Sequence, residues 1–267
     1  MDTALFQKKI LNYFKQHGRT LPWRKTHDPY SILVSEIMLQ QTQVERVIIK
    51  YTNFLAIFPT LTELAHAPLK EVLVAWQGLG YNRRAKYLHQ TAQLIENQYG
   101  GSVPSSIVKL CELPGIGYAT ACAIATYAWN KPHAFVETNI RTVFLYHFFP
   151  KISAISDTDI AQLVKKTLYV KNPRMWYWAL MDYGSMLKKE KKRNNLQSKH
   201  YVKQSPFIGS NRQLRGAIVA LLVNEQKIPL DNLHSFFHED KNRVNSIVRK
   251  LTKEGLLVLK NKHILLP

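Results

Sequence analysis

Apolar residues recur three and four positions apart through most of the chain and do not alternate before residue 200, which predicts helices and no strands there. Residues 3–16 place Leu5, Ile10, Leu11 and Phe14 on one face, with lysines among them and Gly18 ending the run. Asp28 near the cap and Pro29 in the first turn open a second helix through SILVSEIMLQQTQ. That helix is almost wholly apolar, so it is expected to be buried. Helices follow at 44–57, 61–66, 69–77, 81–98 and 104–111, set apart by Pro59-Thr60, Ala67-Pro68, Gly78-Leu79-Gly80 and Gly100-Gly101. An Ala-rich helix covers Ala119 to Trp129, a further apolar-periodic run holds Ile140, Val143 and Phe144, and helices cover 157–168 and 173–187.

The pattern changes after this. Lys188 to Asn195 is a basic run, and 196–207 is polar with Ser205-Pro206, as in a linker. Helices at 210–223, 228–237 and 241–254 then lead into two apolar runs, 256–259 and 263–266, separated by Lys260-Asn261-Lys262. Three helices ending in a small hairpin are the pattern of a winged helix, with Arg243, Arg249 and Lys250 facing DNA. The same fold also serves protein–protein contact. The expected division is therefore 1–195, a linker at 196–207, and a winged-helix-like unit at 208–267.

With 267 residues, 46% of them apolar, the chain can bury a core and is not a disordered polypeptide. Its net charge of +19 favours a polyanionic partner, chiefly a nucleic acid, over a neutral one. An anionic membrane surface is the competing partner, but no apolar run is long enough to span a bilayer. The N-terminus lacks a signal peptide's apolar core, and the cysteines, Cys111 and Cys122, fit a reduced cytoplasmic protein. Two thiols cannot hold a four-cysteine metal site.

Within this frame a few residues carry chemistry. Glu36 sits among Val34, Ile37, Met38 and Leu39, where a carboxylate must be paired, metal-bound or protonated. Burial that raises its pKa would make it a proton donor near neutral pH, and an ion pair is the structural alternative. Leu113-Pro114-Gly115-Ile116-Gly117 opens the Ala-rich helix and offers free N–H groups to a phosphate, or else only a tight turn. Glu137 and Asn139 form a polar cluster one helix further on. Trp23 with Arg24 is either a core anchor with a solvated neighbour or a base-contacting pair. Gln41, at a polar helix tip, can enter a base stack or face solvent. Tyr81 with Arg83 and Arg84, at a Gly-bounded helix start, suits a strand-binding edge or a tyrosine beside a basic face.

Together these residues resemble the helix-hairpin-helix (HhH-GPD) DNA glycosylases, and among them the MutY-type adenine glycosylases. The motifs are LPWR at 21–24, DPY at 28–30, SEIMLQQTQV at 35–44, WQGLGYNRRA at 76–85, LPGIG at 113–117, VETNIR at 136–141 and LMDYGS at 180–185. The resemblance also extends to the endonuclease III and mismatch thymine glycosylases. It implies a mainly α, two-lobed glycosylase fold, here followed by the winged-helix-like unit. It gives Glu36 the role of protonating the departing base, and Gln41 and Tyr81 those of entering the duplex and stacking beside the opposing lesion. Glu137 stands where the family has an aspartate that supports the sugar cation, one methylene longer, and Asn139 matches the family's asparagine.

The departures are as informative. Ala119 occupies the place of the lysine of lyase-type members, so a monofunctional enzyme is expected. The four cysteines of the family's iron–sulfur cluster are not found after LMDYGS, so no cofactor is expected. Trp178 aligns where adenine glycosylases present a Gln or Glu to the adenine edge. The winged-helix-like unit stands in place of the domain that reads 8-oxoguanine. The implied activity is removal of adenine opposite 8-oxoguanine or guanine from double-stranded DNA, by a monomer in the cytoplasm, nucleoid-associated in a prokaryote, with no membrane partner. Removal of thymine or uracil opposite guanine, and a catalytically inactive DNA-binding regulator, are the alternatives. Because its hairpin has Lys260, Asn261 and Lys262 but no aromatic, the C-terminal unit is expected to add affinity without choosing a base.

Overall fold

The computed structural model of the chain describes residues 2–150, 154–190, 198–199, 206–225 and 227–267. The described elements are, in order, α1 (Thr3–His17), a 3-10 turn (Pro22–Arg24), α2 (Pro29–Leu39), α3 (Val44–Ile57), α4 (Leu61–His66), α5 (Leu69–Ala75), α6 (Arg83–Tyr99), α7 (Ile107–Cys111), α8 (Tyr118–Trp129), α9 (Thr138–Phe148), α10 (Asp157–Thr167) and α11 (Pro173–Lys189). After them come α12 (Asn211–Glu225), β1 (Lys227–Pro229), a 3-10 stretch (Leu230–Phe236), α13 (Lys241–Lys253), β2 (Val258–Lys260) and β3 (His263–Leu265). The end of the basic run and most of the expected linker lie outside the described residues.

Two helix starts come later than the hydrophobic pattern suggests. α6 begins at Arg83 rather than 81, because Gly80 and Tyr81 have φ of +72° and +50°, outside the helical region. α7 begins at Ile107 because Ser106 is extended. The C-terminal hairpin gains a third strand. β1 pairs with β3, giving the antiparallel order β1-β3-β2 with Ile228 and Leu259 both opposite Ile264.

The chain forms two compact units. The first comprises Met1–Glu36, Ser105–Glu112 and Ile116–Lys203. Its core is built where α1, α8, α9, α10 and α11 meet, around Phe6, Ile10, Phe135, Phe144, Trp176, Tyr177 and Leu180. Edge-on contacts of Phe6 with Phe144, Phe148 and Trp176, at 5.0–5.7 Å, tie three of these helices together.

The second unit comprises Ile37–Pro104, Leu113–Gly115 and Gln204–Pro267. α4 and α5 pack on α6 through Leu64, Val72, Leu88, Ala92 and Ile95, with Phe54 and Trp76 filling the centre. The C-terminal residues belong to this unit, with α12 resting against α5 and α13. Their own small core is Leu214, Ile218, Leu222, Val244, Ile247, Leu251 and Ile264.

Candidate active site

In the first unit, the helix that carries Glu36 starts where the Asp28 carboxylate accepts the Ser31 N–H at 2.8 Å. From there Ile32, Leu33 and Val34 drive the helix into the interior and carry Glu36 with them, leaving it 8% exposed. Burial raises its pKa well above 4.5, the negative charge of Glu137 raises it further, and Arg24 opposes both. Glu137 reaches the same site from another direction. It is extended backbone at the N-cap of α9, which places its side chain ahead of the helix. Burial pushes it up to about 7, while the cations of Lys188 and Arg141 pull it down. Two neighbouring carboxylates, one buried and one partly buried, cannot both ionise cheaply, and Glu137 has two cations against it where Glu36 has one. Burial and the charge of Glu137 thus favour the protonated form of Glu36. Tyr127 of α8 lies beside both, its hydroxyl raised by burial and then by the two carboxylates.

Arg24 is bound in a fork. It donates through Nη1 to Asp182 Oδ2 and through Nη2 to Asp182 Oδ1, both at 2.8 Å. Arg19 adds its backbone N–H at 2.8 Å and its Nε at 2.6 Å to the same carboxylate. Asp182 is 3% exposed, so this is a charge pair inside the protein. The guanidinium also lies 5.5 Å over the Trp178 ring, and Trp178 stacks on Tyr127 at 6.2 Å. Trp23 is buried beside them in the sequence, in the 3-10 turn. Asn139 is half-buried and donates to Met181 Sδ of α11 at 3.8 Å. Gly184 explains the close approach of α9 and α11, because a Cβ there would collide with the Asn139 carbonyl.

The structure thus gathers Arg24, Glu36, Glu137 and Trp178 of the expected residues, with Tyr127, Arg141, Asp182 and Lys188 added. Asp182 and Arg141 stand inside motifs read from the sequence, LMDYGS and VETNIR, but without an assigned role. Lys188 was the first residue of an apparently solvated basic run. Instead it is lowered to about 8, by burial first, with Arg141 adding to the effect and Glu137 opposing it.

The expected duplex-contacting residues mostly belong to the second unit. Gln41 and Tyr81 both have left-handed backbone, with φ of 55° and 50°. Tyr81 is partly exposed. Arg84 is not on a strand-binding edge. It is 9% exposed and donates to the carbonyls of Ile37, Met38 and Gln40 at 2.8, 2.9 and 2.5 Å, so it caps the end of the helix that carries Glu36. The Thr42 hydroxyl accepts from it at 2.8 Å. Arg83 is bound by the Glu254 carboxylate at 2.6 Å. Arg243 is likewise bound by its own neighbours, Glu239 and the Gly209 carbonyl at 2.6 Å each, whereas Arg249 and Lys250 are exposed.

Leu113 is buried, and Gly115 has φ of +77° with the Tyr87 ring against it, so no side chain fits there. The Gly115 carbonyl accepts from the Gln40 amide at 3.2 Å, and Pro114 accepts from Thr91 at 3.1 Å. Gly117 belongs to the first unit and is the N-cap of α8, where neighbouring atoms leave room for a Cβ.

A four-thiolate cluster does not fit this chain. Cys122 is buried in α8 with its thiol pushed up to about 11 by burial, Cys111 is exposed, and the sequence holds no other cysteine. Among the described residues no group of three or more His, Cys, Asp or Glu side chains could hold a metal ion. Nor is any described helix long and apolar enough to cross a membrane.

The arrangement agrees with what the chain resembles. An adenine DNA glycosylase of Buchnera aphidicola subsp. Baizongia pistaciae is 36% identical over 192 residues, which is 70% of this chain and 54% of that protein. One of Mycobacterium tuberculosis is 42% identical over 135 residues, 50% of this chain and 44% of the relative. The chain spans about half the length of the bacterial relatives it matches. Among solved structures, a thermostable thymine-DNA glycosylase superposes with a TM-score of 0.63 at 26% identity, over 74% of this chain and 96% of that one. Residues 34–172, which contain Glu36, Glu137 and the LPGIG turn, match the family described as HhH-GPD superfamily base excision DNA repair protein. With more than half its length inside that match, the chain belongs to the HhH-GPD superfamily.

Proposed function

We propose that the chain is a monofunctional DNA glycosylase that removes adenine from a mispair with guanine or 8-oxoguanine, acting as a monomer and without an iron–sulfur cluster. The observation that carries this reading is the pair of neighbouring carboxylates with different surroundings, Glu36 buried and raised well above its ordinary value and Glu137 partly buried with Lys188 and Arg141 acting on it. The target base must leave the stack to reach them. The bond between the sugar C1′ and the purine nitrogen breaks with its electron pair going to the base. Glu36 delivers its proton to the purine ring, which leaves as neutral adenine. The Glu137 carboxylate supports the cationic sugar, and water adds at C1′ as its proton passes to Glu137. Ala119 supplies no amine, so the product is an intact strand with an abasic site.

Adenine is favoured over thymine because the sequence relatives at 36% and 42% identity are adenine glycosylases. Thymine or uracil opposite guanine is kept as the second reading by the 0.63 superposition on a thymine-DNA glycosylase. The test is a panel of duplexes, each with one mispair, scored for strand breaks after alkali. Adenine release is expected, with Glu36→Gln slower by roughly 10²–10⁴-fold or more. Release of thymine alone would replace the substrate. Excision by Glu36→Gln within tenfold of wild type would remove Glu36 from its role, and breaks without alkali would end the monofunctional reading.

A further inference from the structure

The packing of α11 on α9 brings Lys188 to the carboxylate pair. Met181, Gly184 and Lys188 are three and four residues apart, so they share one face of α11. The first two meet the start of α9. Met181 Sδ accepts from the Asn139 amide at 3.8 Å, and a Cβ on Gly184 would strike the Asn139 carbonyl. The next position along that face is Lys188, in the last turn of the helix. Glu137 stands two residues before Asn139, as the N-cap of α9. Its side chain makes no capping bond to the helix it begins, so α9 does not consume its carboxylate.

Two cations act on Glu137, and they are not equivalent. Arg141 closes on Asp157 of α10 through Nε at 2.7 Å and Nη2 at 2.6 Å, so a second carboxylate offsets its charge. Burial raises Glu137, and Lys188 lowers it more than Arg141 does. The other groups around the pair are Glu36 of α2, Tyr127 of α8 and Arg24 of the 3-10 turn. Glu36 and Tyr127 bring no positive charge, and Arg24 is held by Asp182. Lys188 is partly buried, whereas Lys189 is exposed, so the burial belongs to position 188 and not to the basic run as a whole. A protonated Glu137 could neither support a cationic sugar nor take a proton from water.

We propose that Lys188 is a positioning residue of the glycosylase site, whose ammonium keeps the Glu137 carboxylate ionised beside the sugar as the base departs. It touches neither base nor sugar in this role and acts through Glu137. This rests on the reading of Glu137 as the group that supports the sugar cation. On the acid side, excision then fails as Glu137 takes up a proton, and without the ammonium it fails at a higher pH.

The test uses the full-length protein and reads two quantities. One is the titration of Glu137, followed by NMR of ¹³C-labelled glutamate carboxyls and assigned by comparison with Glu137→Gln. The other is single-turnover excision from an adenine–guanine duplex across the acid and neutral range. Lys188→Met is expected to raise the Glu137 titration by about one pH unit, the lower end of the effect of a close opposite charge. The acid limb of excision should move up by the same amount, which is about a tenfold loss of rate on that limb. Lys188→Arg keeps the charge and should leave both quantities near wild type. In the Glu137→Gln background, Lys188→Met should add no further loss, because the residue it acts through is already neutral. A lysine that only packs predicts instead a lower melting temperature with titration and limb unmoved. Should Lys188→Met not fold, Lys188→Gln removes the charge while keeping a polar end and gives the same comparison. An unmoved Glu137 titration, or one that Lys188→Arg moves equally, would overturn the proposal. Full excision by Glu137→Gln, with the titration still moved by Lys188→Met, would instead refute the catalytic role of Glu137 and leave the charge relation of the two residues standing.

Discussion

Arg24 of the first unit and Arg84 of the second are both buried guanidiniums, but they are neutralised differently. Arg24 closes on a carboxylate, Asp182, through two bonds of 2.8 Å. Arg84 is met by main-chain carbonyls and a hydroxyl, and burial lowers it to about 10. The neighbourhood of each explains the difference. Arg24 acts on Glu36 and lowers it. An uncompensated cation there would draw off the proton that the proposed reaction needs, and a full opposite charge stands beside it. Arg84 faces the partial negative charge at the end of a helix, for which carbonyl dipoles are sufficient. Against the upward push of burial, hydrogen bonds and charge from Arg24, then Arg19, hold Asp182 below its ordinary value.

The largest effect should come from breaking the first arrangement. Asp182→Ala is expected to cost about 3–5 kcal/mol in urea unfolding, the penalty of leaving a buried charge alone. It should also move the alkaline limb of the excision rate to lower pH, because Arg24 then acts undiminished on Glu36. An unmoved limb would separate Asp182 from the catalytic pair. Arg84→Met should cost less, about 1–3 kcal/mol, since what is lost is a set of hydrogen bonds to neutral groups. If it costs as much as Asp182→Ala, the contrast between carboxylate and dipole fails.

The smallest effect is on the pH dependence of stability. Glu36 and Glu137 are both raised in the folded protein, the latter to about 7. Groups raised on folding contribute stability that is full below the unfolded value, near 4.5, and is lost as pH rises through the folded value. The wild type should therefore lose melting temperature between pH 5 and 8, in the window that the cited 4.5 and about 7 define. Glu36→Gln should lose less, because one of the two titrating groups is gone. Calorimetry at several pH values measures this, and parallel curves for the two proteins would remove the carboxylate pair as the cause.

What could be read in the sequence was whatever local pattern decides. The apolar surround of Glu36 announced its burial, and Asp28-Pro29 announced the start of its helix. The helix from Ala119 to Trp129 was legible from its composition and its glycine-rich entry. Arg84 was not legible, because its partners are main-chain oxygens and one neutral hydroxyl, and no complementary charge marks them. The partners of Arg83 and Arg243 were not legible for a related reason, since the carboxylate of Glu254 that engages Arg83 lies far along the chain, and Arg243 engages Glu239 and a carbonyl. β1 is Lys-Ile-Pro, three residues, too short for alternation to show. Lys188 looked solvated because it begins a run of like charge, although the last turn of α11 leaves it partly buried.

The left-handed backbone at Gln41 and Tyr81 has a consequence for how this protein can change. Neither residue is glycine, and each such conformation costs on the order of 1–2 kcal/mol for an ordinary side chain. Glycine at either position would relieve that cost. A laboratory selection for heat resistance alone should drift toward glycine at 41 and 81, and a selection for discrimination between duplexes should restore the glutamine and the tyrosine. The two positions would then report, in any evolving population, which demand was the stronger.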